Sequence, residues 1–194
     1  MGGAYNARTG LPINVFVVRP DVVNVDAAGR VVSASGAPGA GAQAVINTPG
    51  GGSTRATRRP DLVLGVSPYL KDRTSLQWLN PAAFAIPRPG TYGNLARNAM
   101  RGPGFSQLDL TLTKRVAVSE RQTVEFRSDF FNLLNRANFS NPPATLPNAL
   151  PALQPGQPFS LANAPGFGVI TSTVGRTVGL GTPRQIQFSL RYSF

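Results

Sequence analysis

Glu125 and Asp129 stand four residues apart, a pair of acids of the kind that general acid and base catalysis uses. Nothing in the chain can join them in the common catalytic sets. There is no His and no Cys, which removes the imidazole base, the thiolate nucleophile and zinc centres built from nitrogen and sulfur. Gly50-Gly51-Gly52-Ser53-Thr54 has the glycine content of a phosphate cradle but lacks the P-loop lysine and a following helical pattern, so it reads as a flexible loop. Asp26 to Gly29 has the start of an acidic calcium loop with too few carboxylates, and reads as a turn. Asn138-Phe139-Ser140 meets the glycosylation pattern by composition alone. These residues point to no enzyme, no cofactor and no metal.

The charge asks for a different partner. Lys and Arg number 19 against 8 Asp and Glu, a formal +11, and nucleic-acid binders share such a balance. All of the positive side chains are Arg except Lys71 and Lys114, and they are spread along the chain. The one compact cluster is Arg55, Arg58 and Arg59, without interleaved aromatics on which bases would stack. It reads as a solvated loop or a polar pore wall, and no nucleic-acid partner is expected. The absence of thiols suits an oxidising envelope as well as a reducing cytosol.

The elements that must position these residues are few. With 21 Gly and 18 Pro in 194 residues, about a fifth of the chain against a usual ~12%, long helices are not expected. No apolar run approaches the roughly 18 to 20 residues of a spanning helix, and the N-terminus shows neither a signal peptide nor a myristoylation pattern. Residues 8–107 read as mostly irregular, most extremely over Gly36 to Thr54. Short strands are expected at Ile13 to Val18 and Leu62 to Val66, and a single helical turn at Leu76 to Leu79. Connections this long are uncommon in compact soluble domains.

From Leu108 the pattern changes. Leu108, Leu110, Leu112, Val116 and Val118 alternate with Asp109, Thr111, Thr113 and Arg115, the period of a strand with one apolar and one polar face. Lys114 alone breaks the apolar side; placed near a strand end, its stem would carry the ammonium to an interface. A tight turn is expected at Ser119 to Arg121. Alternation then resumes, with Val124, Phe126 and Phe130 opposite Thr123, Glu125, Arg127 and Asp129. Phe126, Phe130, Leu133 and Leu134 also fit a helical stripe, but Asn132, Asn135 and the run Asn138 to Pro143 disfavour helix there. A second proline-rich loop covers residues 135–184. Gln185 to Phe194 then alternates without exception, with Ile186, Phe188, Leu190, Tyr192 and Phe194 apolar and Gln185, Gln187, Ser189, Arg191 and Ser193 polar.

Two-faced strands of about 9 to 11 residues, joined by one very short turn and very long loops, match a transmembrane β-barrel. A soluble sandwich, with turns every 8 to 12 residues or so, fits the loop lengths poorly. Asp109, Arg115, Glu125, Arg127, Asp129 and Arg191 are then expected to face the lumen, and Ile186, Phe188, Leu190, Tyr192 and Phe194 the lipid.

The residues themselves resemble a known family. Pro183-Arg184-Gln185-Ile186-Gln187-Phe188-Ser189-Leu190-Arg191-Tyr192-Ser193-Phe194 is similar to the last strand of bacterial outer-membrane barrels, which ends in Phe and is recognised by the barrel assembly machinery. Arg101-Gly102-Pro103-Gly104-Phe105, Leu108-Asp109-Leu110, Glu125-Phe126-Arg127, Phe130-Phe131-Asn132-Leu133-Leu134-Asn135 and Asn138-Phe139 resemble the C-terminal barrel of TonB-dependent receptors, nearest to the Oar-like group that carries a carboxypeptidase-regulatory domain. Thr9-Gly10-Leu11-Pro12, Arg59-Pro60-Asp61-Leu62-Val63 and Trp78-Leu79-Asn80-Pro81-Ala82-Ala83-Phe84 fit the same group's long outer loop.

The resemblance implies an all-β fold: an antiparallel meander forming the last three or four strands of a transmembrane barrel in the cell outer membrane, with long irregular loops. It divides the chain into the end of a barrel strand (1–7), an extracellular loop (8–107), a barrel hairpin (108–134), a second extracellular loop (135–184) and a C-terminal barrel strand (185–194). It implies uptake of a large or scarce solute, with membrane lipid and the assembly machinery as partners and TonB reached only through N-terminal parts not found in this sequence. Three or four strands cannot close a barrel, so the chain is expected to be a C-terminal fragment that does not transport alone. A secreted all-β binding or adhesion module is the alternative.

Overall fold

A computed structural model of the chain describes residues 1–20, 22–33, 42–45, 57–70, 76–175, 181 and 183–194. The loop Gly50 to Thr54 and Arg55 lie outside the described residues. In chain order the strands are β1 (Gly2–Arg8), β2 (Pro12–Ile13), β3 (Phe16–Val18), β4 (Val22–Val25), β5 (Val31–Ser33), β6 (Ala42–Val45) and β7 (Thr57–Arg58), then β8 (Asp61–Leu62), β9 (Phe84–Ala85), β10 (Met100–Arg101), β11 (Phe105–Ser119), β12 (Gln122–Phe131), β13 (Thr145–Leu146) and β14 (Gln185–Ser193). The one helical element among the described residues is a 3-10 turn at Pro81–Ala83. The fold is all-β and divides into two compact units, described in turn.

The first unit comprises Met1–Leu11, Gly102–Asn141 and Thr171–Phe194. Its centre is an antiparallel four-stranded sheet in the order β1-β11-β12-β14; the sheet is open and does not close into a barrel. Glu120 and Arg121 form the tight turn between β11 and β12, next to a bulge between Ala117 and Ser119. β12 continues to Phe131, so the helical stripe through Phe126 and Phe130 does not form. Asn132 and Asn135 then take a left-handed backbone, each with φ of 50°, a conformation asparagine tolerates better than most residues. β11 opens at Phe105, three residues ahead of the apolar alternation, because β1 pairs with it from Arg8↔Phe105 onward. Lys114 is not near a strand end: it sits five residues before Ser119 in a 15-residue strand, opposite Phe126.

The second unit, Pro12–Arg101 with Pro142–Ile170, gathers segments from both long loops. They are not plain irregular connections. Short sheets β13-β3-β7, β5-β4-β6, β8-β9 and β10-β2 surround a buried cluster that includes Val15, Val17, Leu79, Phe84, Leu146 and Phe159. This core explains how such long connections are tolerated, since each segment hides apolar side chains against the others. The strand expected at Leu62 to Val66 is short, ending at Leu62, with a turn at Leu64 and Gly65. The helical turn expected at Leu76 to Leu79 is displaced. Gln77 and Leu79 make β-bridges to Val169 and Tyr69, and helix begins only after Asn80, whose Oδ1 accepts the Ala82 N–H at 3.1 Å. That side chain caps the turn, and Pro81 suits its first position.

The loop motifs act as staples. Asp61 Oδ1 accepts the Asn94 N–H at 3.0 Å while Asn94 Oδ1 accepts the Leu62 N–H at 2.7 Å. The Trp78 indole donates to the Arg101 carbonyl at 2.9 Å and packs edge-on against Tyr69. Gly168, at φ 73°, has no room for a Cβ against the Leu79 backbone. Asp26 holds a turn through the Ala28 and Arg30 N–H groups at 3.0 and 2.8 Å.

Trp78 is the only tryptophan and lies in this unit, so its fluorescence reports on the unit's folding. Phe84→Ala empties a site that is 0% exposed and is expected to lower the urea midpoint of the Trp78 transition by the equivalent of about 3 to 5 kcal/mol.

Candidate functional site

The register of the four-stranded sheet decides which side chains share a face. In an antiparallel pair, directly opposite residues point the same way. Arg115, Glu125 and Arg191 stand in one row across β11, β12 and β14; Thr113, Arg127 and Ser189 form the next, and Thr111, Asp129 and Gln187 the third. Asp109 continues this face toward β1, opposite Ala4. The structure therefore brings Asp109, Arg115, Glu125, Arg127, Asp129 and Arg191 onto one surface, three acids among three arginines.

Those charges are interlinked. Arg115 donates to Glu125 Oε2 through Nη2 at 2.6 Å and Nε at 3.1 Å. Arg127 Nε lies 3.0 and 2.9 Å from the two oxygens of Asp129, which also accepts the Thr111 hydroxyl at 2.6 Å. Glu125 and Asp129, the pair that suggested acid and base work, are thus each bound to their own arginine. A balanced, cross-linked face of this kind suits a wet wall better than a reaction centre.

Asp109 belongs to a different arrangement at the far end of the sheet. Its Oδ1 accepts the Asn132 N–H at 2.8 Å and the Gln107 side-chain amide at 2.9 Å. Gln107 Oε1 in turn accepts the Gly181 N–H at 2.8 Å, and the Asn132 side chain bonds the Arg136 backbone in both directions at 2.9 and 3.0 Å. Gln107 and Asn132 are each 1% exposed. This network fastens the chain where it leaves β12. Asn138 is also buried and accepts the Ser106 N–H at 2.9 Å, which leaves no surface for a glycan.

The opposite face carries Leu110, Phe130 and Ile186 in one row, Leu112, Ser128 and Phe188 in the next, then Lys114, Phe126 and Leu190, then Val116, Val124 and Tyr192. The side chains in the β14 half of this face are not packed under anything: Phe188 is 64% exposed, Leu190 73% and Tyr192 52%, with Ile186 and Phe194 exposed as well. Phe126 stacks on Phe188 with ring centroids 5.9 Å apart, and Tyr192 lies against Phe194 at the same distance. From Leu108 to Val118 the strand advances roughly 34 Å at ~3.4 Å per residue, which a tilt of about 35–45° turns into a height of roughly 24 to 28 Å. The lipid-facing band of outer-membrane barrels is about 25 Å tall.

The second unit holds a feature that sequence reasoning missed. Arg58 and Arg59 line a cavity together with Arg19 and Arg97, and Arg59 is solvent-exposed. No sequence pattern links residues this far apart in the chain. Among the described residues there is no cluster of metal-binding side chains and no helix long and apolar enough to cross a membrane.

The chain matches the family described as outer membrane beta barrel domain over residues 4–187. No curated protein and no solved structure matches it.

Removing Asp109 takes away the acceptor of the Asn132 N–H and of the Gln107 side-chain amide. Asp109→Ala is therefore expected to destabilise the sheet by about 1 to 3 kcal/mol, measured by urea titration of the chain in detergent, whereas Thr113→Ala on the same face changes little.

Proposed function

The chain belongs to the outer membrane β-barrel domain family, with its place in the cell outer membrane, and on that premise we propose that its four-stranded sheet is a stretch of transmembrane barrel wall. The observation that carries this reading is the pairing of an uncovered apolar face with a charged, cross-linked polar face at strand-by-strand register. Lipid is the partner of the first face and water of the second. Ile186, Phe188, Leu190, Tyr192 and Phe194 then contact acyl chains, and Asp109, Arg115, Glu125, Arg127, Asp129 and Arg191 line the lumen. A secreted binding or adhesion module would bury the first set, and its exposure supports the membrane reading.

Backbone groups in hydrocarbon find no water, so each strand must be paired on both edges. β1 and β14 are the edges of this sheet, and closure of even a small barrel takes about eight strands. The complete wall is proposed to include further strands, and this chain alone is proposed not to transport. The residues matching TonB-dependent receptors support a finer reading: the barrel is the C-terminal part of a receptor that takes up a large or scarce solute. TonB would couple through parts outside this chain, the segments 8–107 and 135–184 would be outer loops, and the assembly machinery would read the final strand.

Lys114 is the exception on the apolar face. It lies between the Leu112 and Val116 rows, where a cation costs about 2 to 4 kcal/mol at midplane and ~0 to 1 near an interface. Its stem must carry the ammonium toward the headgroups.

The two faces are distinguished by adjacent substitutions. In the complete barrel, Leu190→Arg is expected to lower stability in bilayers by about 2 to 4 kcal/mol and to abolish the heat-modifiable band in gel electrophoresis, while Ser189→Arg leaves both nearly unchanged. Equal tolerance of the two, or the reverse order, removes the lipid assignment. If the terminal aromatic is an assembly signal, Phe194→Ala lowers the amount recovered in the outer-membrane fraction of cells.

A further inference from the structure

The four-stranded sheet ends on two open edges, β1 and β14, and in hydrocarbon an open edge leaves backbone groups without partners. We propose that the outer edge of β1 docks on the outer edge of β14 of a second copy of this chain, so that identical copies close the wall head to tail. This rests on the barrel-wall reading and not on the receptor reading, under which strands outside this chain would cover both edges.

Strand direction permits the docking. Each neighbour in the order β1-β11-β12-β14 runs antiparallel to the last, so β1 and β14 point in opposite directions. A second copy's β1 laid beside β14 therefore continues the antiparallel alternation. Contacts of this head-to-tail kind form rings when the rotation from copy to copy closes, and two copies supply the eight strands or so that a small barrel takes.

The stagger of the sheet selects the register. Gly3, Leu110, Phe130 and Ile186 form one row across the four strands. From that row toward the long connections, β1 runs five residues further, to Arg8, and β14 only one, to Gln185, a step of four residues. Over three strand intervals this is roughly 14 Å along the strands against ~14 Å across them, a tilt close to the 35–45° or so of barrels. Setting Arg8 of the second copy opposite Gln185 brings the strand ends level. All seven residues of β1 then find partners, down to Gly2 opposite Arg191. Apolar positions also fall beside apolar positions, whereas a slip of one residue would turn the two faces against each other. The same register displaces each copy by four residues over four strands, a tilt of about 35°.

The side chains fit at that register. On the apolar face Gly3 meets Leu190 and Ala7 meets Ile186, small residues against bulky ones. Tyr5 meets Phe188, and these two rings are 65% and 64% exposed in the single copy; aromatic pairs across strands are among the stabilising ones. On the polar face Asn6 meets Gln187, two amides able to exchange hydrogen bonds. Arg191 meets Gly2, around which there is open space. Gln185 Oε1 is a buried acceptor without a hydrogen-bond partner in the single copy, and Arg8 of the second copy brings guanidinium donors to its row.

Disulfide trapping tests the seam, because the chain has no cysteine of its own. Asn6→Cys chains carrying a size tag are mixed with Gln187→Cys chains, refolded into phosphatidylcholine vesicles and oxidised. A mixed covalent dimer is expected, about fivefold more abundant than from Asn6→Cys with Phe188→Cys, whose thiols would lie on opposite faces. Ala4→Cys with Ser189→Cys gives a second pair at the same register and decides if the first pair fails to refold. Sedimentation equilibrium of the full chain in zwitterionic detergent is expected to give a whole number of copies, two or more. Insertion is read separately, from protection of the β11–β12 hairpin against protease added to the vesicles. An inserted chain that sediments as one copy, or cross-linking without preference for the register, overturns self-closure and leaves the barrel wall standing. A chain that stays outside the bilayer overturns both.

Discussion

A strand in hydrocarbon must satisfy every backbone N–H and C=O through its neighbours, because no solvent is there to accept or donate. That requirement makes strand pairing the condition for everything else in the first unit. Since side chains alternate with a period of two, pairing in the wrong register by one residue would turn each apolar side chain toward the polar face. Several independent contacts guard the register. The two-residue turn and the Ala117/Ser119 bulge set one end of the β11–β12 hairpin. The Arg115–Glu125 pair lies across the middle, and the Asp109–Asn132 bond with its buried neighbours closes the other end.

The second unit obeys a different solvent rule. Here the apolar side chains turn inward around Leu79, Phe84 and Phe159, as expected of a body surrounded by water. The motifs that resemble an outer loop are the points where remote segments are stapled: Asp61 to Asn94, Asn80 over Pro81–Ala83, Trp78 to Arg101. Their physical role is to replace long regular strands with side-chain-to-backbone bonds, which short elements need because so few of their backbone groups find ladder partners. The same stapling brings arginines from three parts of the chain to one cavity wall.

The sheet was legible because its chemistry is local. Leu108 to Val118, Val124 to Phe130 and Ile186 to Phe194 announce a strand face by residue type at every second position, and the steric rule that produces the alternation acts between chain neighbours. The turn at Glu120 and Arg121 could be placed for the same reason. Where local signals competed, as at Phe126 to Leu134, asparagines able to adopt a left-handed backbone marked the end of regular structure.

What the chain by itself determined, then, is the all-β class and the two-faced strands. Tertiary structure decided the rest: that the two long connections share a core, that helix forms after Asn80 and not before it, that Lys114 lies well inside its strand, and that Arg19 and Arg97 join Arg58 and Arg59. The division has one physical cause. Strand alternation follows from backbone geometry between adjacent residues, whereas a core, a cap or a charged cavity depends on which distant segments come within hydrogen-bonding distance, and no spacing along the chain encodes that distance.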